Sequence, residues 1–218
     1  MAKKEVPLHA LSAYLPEHAL DPVLHYLNIY KIHLTITRER NTLLGDYRHT
    51  IGDSHHRISV NGNLNQYAFL ITLLHELAHL ITFDQHRNRA APHGKEWKKN
   101  FSTLLSHFMQ LHIFPEDIQQ ALEQSIKNPA ASSCSDMALM RVLRRYDSGN
   151  KHGVLIEELP NGALFQLKDG RMFKRGEKLR KRYKGVDVKT GQTYLFNALY
   201  EVILVEENCS EKVDTPTP

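Results

Sequence analysis

The chain has 218 residues, of which 41% are apolar, with 28 Lys/Arg against 24 Asp/Glu. That is enough apolar residue for a sizeable core, which excludes disorder of the whole chain. No run approaches the roughly 18–20 apolar residues a membrane helix needs, so no membrane partner is expected, and His9, Ser12 and Pro16 interrupt any signal-peptide core. Two cysteines, Cys134 and Cys209, exclude a disulfide scaffold and a cysteine-based zinc finger, and a cytoplasmic setting is expected.

From His18 to Tyr30 the apolar residues Leu20, Val23, Leu24 and Leu27 follow a helical period. Ile32, Leu34 and Ile36 alternate with His33, Thr35 and Thr37, the pattern of a half-buried strand, and 45–47 and 57–60 suggest two more, closed by the turn Asn61-Gly62-Asn63. Gln66 to Phe83 is apolar on nearly every face, as a helix buried in a core would be. A further helix is expected from about His93 to Met109, another after Pro115, and a third from Met137 to Tyr146. Beyond Gly149 the period changes to two, with Asn161-Gly162, Asp169-Gly170 and Thr190-Gly191 as hairpin turns, which predicts an antiparallel meander. Its expected core is Val154, Ile156, Leu164, Phe165, Phe173, Tyr194, Phe196, Val202 and Leu204.

Charge divides the chain in the same places. Residues 1–140 carry 13 Lys/Arg and 13 Asp/Glu, residues 141–189 carry 14 and 6, and residues 190–218 carry 1 and 5. The expected organisation is α+β: a domain over 1–128, a linker and helix over 129–149, a basic β module over 150–207, and an acidic flexible tail over 208–218.

Within the apolar helix lies His75-Glu76-Leu77-Ala78-His79, the pattern H-E-x-x-H. Residues four apart share a helix face, so His75 and His79 can offer two nitrogens to one metal ion. Glu76 stands beside the first of them, placed to accept a proton from water without being a ligand. Two histidines and a carboxylate in an apolar helix would cost several kcal/mol if left unpaired, and a dication removes that cost. A catalytic zinc needs a third protein ligand. Glu96, His86 and His93 are the candidates, and His93 is preferred because it follows a loop and opens the next helix, whereas only seven residues of chain separate His86 from His79.

The pair His75-Glu76-Leu77-Ala78-His79 and His93-Gly94-Lys95-Glu96-Trp97 resembles the SprT-like metalloprotease family, whose motif is H-E-x-x-H followed after a similar gap by H-G-x-x-aromatic. Leu44-Gly45-Asp46-Tyr47-Arg48 also resembles a strand of that family. The resemblance covers roughly residues 15–126. It implies a zincin-like domain with an H-E-x-x-H helix, a small sheet and flanking helices, one Zn2+ per chain on His75, His79 and His93, and Glu76 as the general base. It further implies a peptidase acting on proteins attached to DNA. Many members continue into a four-cysteine zinc ribbon, which this chain lacks the cysteines to build.

The basic module supplies an independent expectation. Between Lys168 and Lys189 there are ten Lys/Arg and three acids. Arg180, Arg182 and Lys184 alternate as on one face of a strand, and Arg171, Lys174 and Arg175 extend the patch around the neighbouring hairpin. Such a stripe suits nucleic-acid phosphates, with Tyr183 and Tyr194 either as stacking partners or as core residues; the alternative is a solvated edge strand whose charge guards against aggregation. The leading expectation is a cytoplasmic, nucleoid-associated zinc endopeptidase with protein substrates and DNA as partner. Its alternatives are a zinc-stabilised DNA-binding scaffold and a regulatory peptidase that needs no DNA.

Overall fold

A computed structural model describes residues 8–40, 43–49, 55–127, 136–147 and 153–205. The chain is α+β and divides into two units, 1–148 and 149–218. Most of the expected linker and the whole acidic tail, together with Cys134 and Cys209, lie outside the described residues. Among the described residues no helix is long and apolar enough to cross a membrane.

The first unit opens with a 3-10 turn, Leu8–Tyr14, and helix α1, Leu20–Ile29, which buries Val23 and Leu27. Three strands follow: β1 (Ile32–Thr37), β2 (Gly45–Arg48) and β3 (His56–Asn61). They form a sheet in the order β1-β3-β2, with β1 parallel and β2 antiparallel to β3. Ile58 and Val60 of β3 are buried, and so face the core. Asn61, 1% exposed, turns its side chain to the loop before β2, donating from Nδ2 to the carbonyls of Leu43 (2.9 Å) and Arg40 (3.3 Å).

Helix α2 spans Gln66–His86 and buries thirteen consecutive or near-consecutive residues from Phe69 to Thr82. Leu70, Leu73, Leu74, Leu77 and Leu80 are wholly buried, each contributing roughly 1.5–3 kcal/mol of transfer free energy. Helix α3 (Lys95–Gln110) sets Trp97, Phe101, Leu104, Leu105 and Phe108 against that core at helical spacing. Helix α4 (Glu116–Lys127) adds Ile118 and Leu122.

Helix α5 (Met137–Arg144), read from sequence with the linker, packs into the first unit's core through Leu139 and Leu143. Polar contacts fasten its end. The Tyr146 hydroxyl donates to Asp117 Oδ1 (2.7 Å), and Asn65 Nδ2 donates to the Leu143 carbonyl (2.9 Å) and to Asp147 Oδ1 (2.8 Å).

The second unit is a six-stranded antiparallel sheet: β4 (Val154–Leu155), β5 (Leu164–Gln166), β6 (Met172–Leu179), β7 (Arg182–Asp187), β8 (Thr193–Asn197) and β9 (Glu201–Leu204). Its order is β4-β9-β5-β6-β7-β8. Only β5 to β8 form a meander; β9 returns to lie between β4 and β5, so the Asn161-Gly162 turn does not join paired strands. The hairpin between β6 and β7 turns at Arg180-Lys181, with Arg180 at φ +51°. Phe165, Phe173, Phe196 and Tyr183 form the aromatic core, while Tyr194 and Leu204, expected inside, are 38% and 40% exposed. Gly185 makes room for the Phe196 ring, which a side chain there would strike.

Candidate metal centre

Helix α2 presents His75 and His79 one turn apart, and the loop after α2 brings His93 to the same place. His93 has the left-handed φ of +55°, immediately before Gly94, the N-cap of α3. An L-residue there costs roughly 1–2 kcal/mol, offset locally by the Gly94 N–H donating to the Ala91 carbonyl (2.9 Å). The three Nε2 atoms converge: 3.2 Å between His75 and His79, 3.0 Å between His79 and His93, and 3.2 Å between His93 and His75. Zinc bonds of 2.0–2.1 Å at tetrahedral angles would place such nitrogens about 3.3 Å apart. The triangle therefore fits a metal ion with little adjustment, and the three residues could hold one. His86 and Glu96 are outside this cluster; Glu96 Oε1 lies 3.8 Å from Lys95 Nζ.

Protonation favours the same use. Burial pushes His75 down to about 3, assisted by the nearby His79 and His93, and pushes His79 down to about 4. His93 is lowered too, again by burial. All three imidazoles are thus neutral near pH 7, the form that ligates. His75 Nδ1 is buried without a hydrogen-bond partner. Trp97, 1% exposed, lies against all three rings at centroid distances of 4.7, 5.3 and 4.6 Å from His75, His79 and His93. It forms a wall of the cluster.

Glu76 is 6% exposed, and burial raises its carboxyl to about 8; the charge of Asp46 adds to this, while Arg40 and the Tyr47 backbone work against it. A carboxyl poised between its two forms near neutrality is suited to taking and returning a proton.

The six basic residues singled out from sequence do not share one face. Burial and register put Lys174, Arg182 and Lys184 on the exposed face of the second unit's sheet, and Arg180 in the hairpin turn rather than in strand β7. Arg175 lies on the opposite, aromatic face, its guanidinium 4.5 Å from the Tyr183 ring centroid. Arg171 is paired with Asp169 (2.8 Å) and stands over Phe173 and Tyr194.

Sequence reasoning missed the contact of Gly45 with Glu76: a Cβ at Gly45 would lie 2.7 Å from Glu76 Oε1. A glycine inside a strand is the available signal for such a close approach.

No curated protein and no solved structure matches the chain. Residues 23–114, which contain His75, Glu76, His79 and His93, match the model of the SprT-like family, the family that the paired motifs resemble.

Proposed function

We propose that the first unit is a zincin-like, zinc-dependent endopeptidase. The observation that carries this reading is the triangle of three Nε2 atoms, 3.0–3.2 Å apart, on the residue next to Glu76 and its helical and loop partners. Zinc, when bound, supplies Lewis acidity that polarises a scissile carbonyl and acidifies water. His75, His79 and His93 would hold it through Nε2, leaving an open coordination position. Glu76 would take the proton of the attacking water on its carboxylate as the C–O bond forms, then deliver it to the leaving amine nitrogen as the C–N bond breaks. Trp97 keeps the imidazoles from turning away.

The family resemblance and the basic sheet of the second unit support one substrate class, proteins associated with DNA in the cytoplasm, with Lys174, Arg182 and Lys184 on the open face of the sheet meeting phosphates. The test is incubation of zinc-loaded protein with a basic protein substrate, with and without single-stranded DNA. Cleavage only with DNA supports the full reading; cleavage without it favours a regulatory peptidase, and no cleavage favours a zinc-stabilised scaffold. Two variants check the roles. Glu76→Gln should keep its zinc and lose about 10²–10⁴ in rate. His93→Ala should lose zinc, and full retention at unchanged affinity would return the third ligand to His86 or Glu96.

A further inference from the structure

We propose that Gly45 is a positioning residue: its missing Cβ lets the main chain of β2 lie against α2 so that the Tyr47 N–H anchors the Glu76 carboxylate. The inference rests on the reading of Glu76 as proton acceptor.

A glycine in a strand weakens pairing and needs a reason. Backbone conformation is not that reason, since Gly45 is not among the glycines with positive φ. Space is. A Cβ there would lie 2.7 Å from Glu76 Oε1, 2.9 Å from Glu76 Cγ and 2.8 Å from Thr72 Cγ2. Thr72 is 3% exposed and Glu76 6% exposed, so neither can swing into solvent to relieve the clash.

Pairing explains what the close approach achieves. Gly45 faces Val60 and Tyr47 faces Ile58, and the Asn61 N–H donates to the Leu44 carbonyl (2.9 Å). In an antiparallel ladder hydrogen-bonded pairs alternate with pairs whose N–H groups point away from the partner. Leu44 is in the first kind, so Gly45 and Tyr47 are in the second, and β2 is an edge strand. The Tyr47 N–H therefore points away from β3 to the open side, available to the Glu76 carboxylate that lies against Gly45. On this proposal one residue of the strand makes the room and the next but one anchors the carboxylate.

The experiment uses the full chain with Gly45→Ala. Relieving a 2.7 Å contact displaces the carboxylate by several tenths of an ångström, and misplacement on that scale is expected to lower kcat about 10- to 100-fold. Zinc content should stay at one per chain and KM within about twofold. In zinc-free, ¹⁵N-labelled protein, the Tyr47 amide resonance should move in the same direction as in Glu76→Gln and exchange with solvent about tenfold faster. Should Gly45→Ala not fold, Gly45→Ala/Thr72→Ser removes the methyl that the new Cβ would meet, and takes its place in both measurements. Wild-type kcat with an unmoved Tyr47 amide overturns the proposal, as does an effect confined to KM. If wild-type protein cuts no substrate, the endopeptidase reading fails alone, and the Tyr47 amide still decides whether Gly45 places Glu76.

Discussion

Burial acts on Glu76 and on its histidine neighbours in opposite senses, because it disfavours whichever form is charged. Glu76 is raised to about 8 from an ordinary 4.5, whereas His75 and His79 fall to about 3 and 4 from 6.5. The consequences for metal-free protein are separable by pH. Between 4.5 and 8 the folded state binds the Glu76 proton more tightly than the unfolded chain, so stability from this group, complete below 4.5, is lost as pH rises through 8. The histidines contribute stability above 6.5 that is lost as pH falls from there toward 3–4. Metal-free Glu76→Gln should therefore gain thermal stability relative to wild type as pH rises from 5 to 8. Zinc should shrink that gain, since a nearby dication favours the carboxylate. A difference in Tm that is flat with pH in the metal-free pair would show that Glu76 is not held protonated by its surroundings.

At the scale of elements, Asn65 joins two of them. Its Oδ1 accepts from the Ala68 N–H (2.9 Å), capping α2, and its Nδ2 donates to Leu143 and Asp147 at the end of α5. Asn65→Ala removes cap and clamp together and is expected to cost about 2 kcal/mol, or a fall in Tm of about 5 °C. Asn65→Ser keeps an acceptor for the cap but cannot reach α5. It should recover roughly half the loss, while amide exchange in α5 stays as fast as in the alanine variant. Equal exchange in all three proteins would show that α5 is held by Leu139 and Leu143 alone.

These elements also show where sequence is readable. The helical spacing of His75 and His79, the stripe of Leu139 and Leu143, and the turn glycines Gly170 and Gly191 depend on neighbours within a few residues, and each is legible. What Leu139 and Leu143 pack against is not legible, because their partners come from distant parts of the chain. Nor is the return of β9 between β4 and β5, a pairing no local pattern encodes. The Arg180-Lys181 turn escapes for another reason: it contains no Gly, Asn or Asp, the residues that usually mark φ > 0. Gly45 is visible as an oddity in a strand, but its contact with Glu76 depends on how closely sheet and helix approach.

Over the whole molecule, the two units carry the same net charge, 16 Lys/Arg against 14 Asp/Glu in 1–148 and 12 against 10 in 149–218. Only in the second are the cations clustered, ten of them between Lys168 and Lys189, whereas the first holds the histidine cluster. Of the six cations expected to meet nucleic acid, Lys174, Arg182 and Lys184 share an exposed face, and Lys184 is shared with Glu177 at 3.5 Å. Arg175 is turned to Tyr183 and Arg171 is bound to Asp169, so both are already engaged. Three phosphate contacts predict a log–log salt slope of about −2 on single strands. Reversing Lys174, Arg182 and Lys184 to Glu should weaken binding for every sequence alike and bring the slope close to zero. Arg171→Gln, by contrast, should leave affinity within about twofold, because its guanidinium is spent on Asp169. The triple reversal should leave DNA-independent peptide cleavage intact, as no residue of the histidine cluster or Glu76 is touched. If the triple variant binds DNA as wild type does, Lys174, Arg182 and Lys184 keep the sheet soluble and do nothing more.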